Sequence, residues 1–154
     1  LTMGINVLMN TVKTLASILP DWDVEIVEVH HKHKKDAPSG TAVKLAQAIA
    51  RERDQVIEAS VLYGRKGIQV RKPGEIAIHA LRGGGVVGIH EVIFISENEK
   101  ITFRHESLNR NAFVDCLIQV INFIRLHPPG YYSVEEALNL TSYDSDKADF
   151  QVSN

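Results

Sequence analysis

Residues 86–95, Val-Val-Gly-Ile-His-Glu-Val-Ile-Phe-Ile, constrain the fold more than any other segment. The run is rich in β-branched residues and reads as a strand. Side chains alternate along a strand, so Val86, Gly88, His90, Val92 and Phe94 take one face and Val87, Ile89, Glu91, Ile93 and Ile95 the other. Both sets are largely apolar, and a strand apolar on both sides is buried on both sides. This segment therefore requires a sheet with both faces covered.

The flanking sequence supplies the sheet and one cover. Residues 24–31, 75–81 and 100–106 read as further strands, and 60–63 as a short one. Gly83-Gly84-Gly85 links 75–81 to 86–95, and Glu97-Asn98-Glu99 links 86–95 to 100–106. Links this short predict antiparallel hairpins at both places. Ile5, Leu8, Met9, Val12, Leu15, Ala16 and Leu19 fall on one helical stripe, with Thr2 as cap and Pro20 as stop. Ala42, Leu45, Ala46 and Ile49 mark a second helix, capped by Ser39 and running to about Arg53. Phe113, Leu117, Val120, Ile121 and Ile124 mark a third over 110–126. Cys116 lies beside that stripe and reads as a small buried residue. Ser133 can cap a short last helix over 134–138.

The sum is α+β: a mixed, largely antiparallel sheet of about four strands with helices on one face. One helical layer leaves the other sheet face bare, so the expectation is a homo-oligomer formed through the sheet. The domain is expected over 1–140, with a polar, acidic tail at 141–154. The basic, turn-rich segment 54–74 reads as a solvated loop, with a lid or an arm to another subunit as the functional alternative.

Composition narrows the function classes. The chain has 154 residues, 44% hydrophobic and 23% charged, enough for one domain with a real core. A net charge of -2 argues against a general nucleic-acid surface, so any basic cluster is local. Cys116 is the only cysteine, which excludes an internal disulfide and fits a reducing, cytoplasmic setting. No apolar run approaches the roughly 20 residues of a membrane span.

That local cluster is Glu28-Val-His-His-Lys-His-Lys-Lys-Asp-Ala-Pro-Ser-Gly-Thr-Ala42, with three histidines and three lysines in six consecutive positions. Pro38 keeps Ala37 out of a helix, and Ser39 starts one. The N–H groups of Ser39, Gly40 and Thr41 are then donors of a helix start, where the dipole favours an anion. Lys34 and the histidines add positive charge. Crowded cations lower one another's pKa values, so a histidine or lysine here is a plausible general acid. Strand alternation would set His30 and His31 on opposite sides unless the strand ends between them. Zinc is the rival ligand, because His31 or His30 could chelate with His33. Lysines at 32, 34 and 35 repel a dication and no cysteine or carboxylate cluster helps, so no metal site is assigned. The plainest alternative is an exposed basic loop. Gly83-Gly84-Gly85 lacks the spacing and following helix of a phosphate loop.

The cluster closely resembles the signature of bacterial dihydrodipicolinate reductases. The likeness continues through Arg82-Gly-Gly-Gly-Val-Val-Gly-x-His90, His105-x-x-x-x-Arg110-x-x-Phe113 and Pro129-Gly-x-Tyr-Ser133, and covers roughly residues 1–140. The resemblance implies reduction of a cyclic unsaturated dicarboxylate by NADPH or NADH, on the route to diaminopimelate and lysine. It implies His30 as proton donor and Lys34 as a second donor or transition-state stabiliser. His31, Gly40 and Thr41 would contact a substrate carboxylate, and Leu1 would lie where the backbone touches the cofactor. A tetramer built through the sheets is also implied. The family's leading nucleotide-binding α/β domain is not in this sequence, so the chain is expected to be the substrate-binding and oligomerising part, inactive alone. A non-catalytic oligomerising module that keeps the anion site is the alternative.

Overall fold

The computed structural model describes residues 1–140. The expected tail at 141–154 lies outside the described residues. Its centre is a strand, β1 (Asp23–His30). Around it the sheet is completed by β2 (Val61–Tyr63), β3 (Ile76–Arg82), β4 (Gly88–Ile95) and β5 (Lys100–Ser107), in the order β2-β3-β1-β4-β5. The strand count is five where about four were expected, because the short strand read at 60–63 forms and joins the sheet as the edge strand β2.

β1 pairs in parallel with β3 and antiparallel with β4. The β4–β5 hairpin forms as expected, closed by Ser96 N–H to Glu99 O at 2.9 Å. The expected hairpin between β3 and β4 does not form, because β1 lies between them. Two strand spacings are about 10 Å, which a five-residue link covers easily. The glycine turn therefore crosses the end of β1. It bonds to it on the way, with Gly83 N–H to His30 O at 3.0 Å and Lys32 N–H to Gly84 O at 3.2 Å. Gly84 has φ +52°, a conformation that glycine adopts without strain.

Helices α1 (Met3–Ile18) and α2 (Gly40–Glu52) pack against each other and onto one sheet face. Thr2 Oγ1 caps α1 by accepting from Ile5 N–H at 3.3 Å, and Ser39 Oγ caps α2 by accepting from Ala42 N–H at 3.2 Å. Their apolar stripes meet Val24, Ile26, Ile76, Ile78, Val92 and Phe94, all fully buried or nearly so. Each such side chain contributes about 1.5–3 kcal/mol through burial.

Among the described residues the opposite sheet face carries no helical layer. Val27, Val29, Ile93 and Ile95 are half-buried there, and Leu81 is exposed. At one corner Glu25 accepts from Arg65 at 2.7 Å, from His79 Nε2–H at 2.6 Å and from Arg71. These contacts pin the loop between β2 and β3 to the sheet, while its Ile68 and Val70 stand fully in solvent.

After a single turn, α3 (Ile57–Ser60), and the strands, the described residues close with α4 (Asn111–Leu126) and α5 (Val134–Ala137). Ser133 caps α5 with a reciprocal bond from its own N–H to Glu136 at 2.7 Å. Cys116 is buried, as its place in the sequence suggests. The apolar stripe of α4 is not: Phe113, Leu117, Ile121 and Ile124 are each about half exposed, at 47–57%.

Candidate active site at the end of the central strand

Alternate residues of β1 face the two helices: Val24, Ile26, Glu28 and His30. The first two are core. The last two are polar because the strand is running out of the core toward its own end. Glu28 is nevertheless fully buried. A buried carboxylate needs partners, and Arg82, Ser39 and His30 supply them. Arg82 donates to both oxygens, at 2.9 and 2.8 Å. Ser39 N–H donates at 2.9 Å and His30 Nδ1 lies 2.5 Å away. Burial alone would raise the Glu28 pKa, but the bonds from Arg82, His30 and Ser39 outweigh it and hold it below the usual carboxylate range.

His90 sits directly opposite Glu28 on β4. It is buried, its ring meets that of His30 edge-on, and its Nε2 lies 3.1 Å from Ser39 Oγ. Burial, reinforced by the charge of His30, pushes its pKa from 6.5 down to about 4. His90 is therefore a neutral ring beneath the site near neutral pH.

Above this layer lies a cavity of about 470 Å³. His30, His31, Lys34, Gly40 and Thr41 all line it, and so does Leu1. Every residue singled out from the sequence for substrate or cofactor contact is thus in one place. His30 and His31 can share it because β1 ends at His30, so strand alternation no longer separates them. Lys34 leans on Asp36 at 2.8 Å. That bond is the main reason the exposed Asp36 carboxyl titrates below its ordinary value. One expectation is corrected: Ser39 N–H is not free for an anion, because it is bonded to Glu28. Gly40 and Thr41 open α2, where N–H groups have no intrahelical acceptor.

Ser39 also borders the cavity, and Lys44, Val87, Arg110 and Phe113, which were not assigned to the site by sequence reasoning, complete the lining. Lys44 lies one turn beyond Gly40, and i,i+4 neighbours share a helix face, a signal that was available. Arg110 comes from the start of α4, far away in the sequence. No carboxylate is among the lining residues, which offer Lys34, Lys44, Arg110 and two imidazoles. Such a cavity suits a small polyanion. Among the described residues no three His, Cys, Asp or Glu side chains converge as metal ligands. No helix of the described residues is long and apolar enough to cross a membrane.

Residues 4–138 match the family described as dihydrodipicolinate reductase, C-terminus. The chain belongs to this family. A 4-hydroxy-tetrahydrodipicolinate reductase of Rubrobacter xylanophilus is 42% identical over 140 residues, covering 90% of this chain and 54% of the relative. One from Methanocaldococcus jannaschii is 45% identical over 139 residues, covering 90% and 50%. A dipicolinate-bound dihydrodipicolinate reductase from Paenisporosarcina sp. TG-14 shares the fold with TM-score 0.68 and 32% identity, over 88% of this chain and 51% of that one. The chain thus spans about half the length of the reductases it matches.

Proposed function

We propose that this chain is the substrate-binding part of a 4-hydroxy-tetrahydrodipicolinate reductase. A cyclic unsaturated dicarboxylate sits in the cavity at the end of β1. One carboxylate takes the Gly40 and Thr41 N–H groups and the Thr41 hydroxyl, with His31 and Lys34 offsetting its charge. Lys44 and Arg110 remain for the second carboxylate. NADPH or NADH, when bound beside Leu1, would supply the hydride for one end of the ring's double bond. His30 Nε2–H gives its proton to the other end, with Lys34 as second donor or stabiliser of the developing charge.

The observation that carries this reading is the convergence of His30, His31, Lys34, Gly40 and Thr41 on one cation-lined cavity. The dipicolinate bound to the related Paenisporosarcina reductase is a dicarboxylate of the kind this cavity suits. For the cofactor, the described residues offer Leu1 at the cavity edge, and the glycine turn runs from strand to strand instead of into a helix. Nucleotide binding is therefore assigned to no other residue described, and the chain alone is inactive in this reading. The free sheet face, with Val27, Val29, Ile93 and Leu81, is the surface through which it forms a homotetramer, in a reducing cytoplasm.

Calorimetry with pyridine-2,6-dicarboxylate tests the site. The chain binds it, and Lys34→Ala and Thr41→Val each weaken binding by about tenfold, the worth of one charge-assisted bond. Unchanged affinity in both variants rejects the carboxylate assignment. Light scattering tests the assembly: a monomer at micromolar concentration rejects it. NADPH turnover by this chain alone rejects the division of labour.

A further inference from the structure

The Arg82-Gly83-Gly84-Gly85 segment is not explained by substrate contacts. We infer that Glu28, clamped by Arg82, is a positioning residue that fixes the tautomer of His30 and turns its Nε2 toward the cavity, with the glycine turn as the frame that holds the pair. The inference rests on His30 being the proton donor proposed above.

An ionised carboxylate only accepts hydrogen bonds. Glu28 Oε2 lies 2.5 Å from His30 Nδ1, so Nδ1 must be the nitrogen that carries the proton. Nε2 is then bare in the neutral ring and becomes N–H only on protonation. That is the single atom able to take up and deliver a proton. It lies against Gly88, where an added Cβ would sit 3.1 Å away, so the ring needs that residue to be small.

The assignment requires Glu28 to stay ionised while fully buried, and Arg82 achieves this. Its two-pronged bond matches carboxylate geometry in a way a lysine cannot. Arg82 also donates to Asp36 O at 2.6 Å, which ties the loop bearing Lys34 to the same carboxylate. The backbone repeats the clamp, through Gly83 N–H to His30 O and Lys32 N–H to Gly84 O. A buried ion pair yields little net stability compared with apolar packing. Its place beside His30 is better explained by orientation than by folding.

Other charges face His30 from every side. His90 stands against it from β4, Lys34 and His31 follow it in the loop, and Lys44 and Arg110 line the cavity from α2 and α4. All are cations or neutral imidazoles. Among the described residues Glu28 is the one anion hydrogen-bonded to the ring.

Long-range ¹H–¹⁵N NMR of the labelled chain reads the tautomer directly, without ligand or cofactor. In the unmutated chain, neutral His30 shows Nδ1–H and a bare Nε2. An Nε2–H tautomer overturns the inference. Glu28→Gln converts the single tautomer into a mixture while pyridine-2,6-dicarboxylate still binds; a folded variant with the tautomer unchanged also overturns it. Should Glu28→Gln fail to fold, Arg82→Lys keeps the charge, loses the fork and carries the same comparison. Loss of dicarboxylate binding with Nδ1–H intact would instead reject the proposed function and leave the tautomer assignment standing.

Discussion

The rings of His30 and His90 meet edge to face on neighbouring strands, 5.2 Å between centroids and 75° apart. One borders the cavity and the other is buried beneath it. Two imidazolium ions at that separation would repel in a poorly solvated place, and His90 is the one that stays neutral.

This neutrality makes stability depend on pH. The folded His90 titrates at about 4 and an unfolded histidine near 6.5, so the unfolded chain binds more protons between those values. Stability is full well above pH 6.5 and falls as pH drops toward 4, by about 3 kcal/mol in all. Urea unfolding at several pH values measures this, and His90→Gln should flatten the upper part of the curve. A level curve between pH 7 and 5 in the unmutated chain contradicts it.

Ser39 serves three partners: Ala42 N–H, the ring of His90 and, through its own N–H, Glu28. Ser39→Ala keeps only the last. The loss of cap and hydroxyl should cost about 1–2 kcal/mol. It should also weaken dicarboxylate binding, because the first turn of α2 frays at Gly40 and Thr41, the donors proposed for the carboxylate. Denaturant midpoints and calorimetry on the same samples check both effects.

Arg71 joins the β2–β3 loop to Asp23, Glu25, and the carbonyls of Val24 and Glu75. Arg71→Ala should free the loop, and trypsin should then cut faster at Arg65 or Lys66, several-fold over the parent. Burial would raise the Glu25 pKa, but bonds from Arg65 and His79 and the charges of Arg65 and Arg71 bring it below its ordinary 4.5. The stabilisation by this cluster is thus present above that value and lost as pH falls below it. Equal digestion rates for parent and variant at pH 7 would show that the loop is held by something else.

Helix stripes and caps were legible because they depend on neighbours in the sequence. Thr2, Ser39 and Ser133 all cap as their positions suggested. The grouping of His30, His31, Lys34, Gly40 and Thr41 around one cavity was legible for the same reason, since His30 to Thr41 is one continuous stretch with a strand end and a helix start inside it. Strand order was not. Nothing local in Gly83–Gly85 tells that β1 will take the place between β3 and β4, because that is decided by pairing between distant segments. Arg110 escaped assignment likewise, reaching the cavity only through the path of the whole chain. The pattern of α4 marks its apolar face but not what meets it, and in the described chain that face is half exposed.

The central position of β1 also has a kinetic consequence. The β4–β5 hairpin closes locally, but β1 finds both partners far downstream, between Ile76 and Ile95. The entropy of closing those long loops must be met before pairing rewards it, so β1 docks late. Its last residues are Val29 and His30. Their amide exchange should follow global unfolding. A nascent or half-folded chain would then carry the histidines and lysines without the Glu28–His30 contact, and the ordered cavity would arrive all at once with the closed sheet.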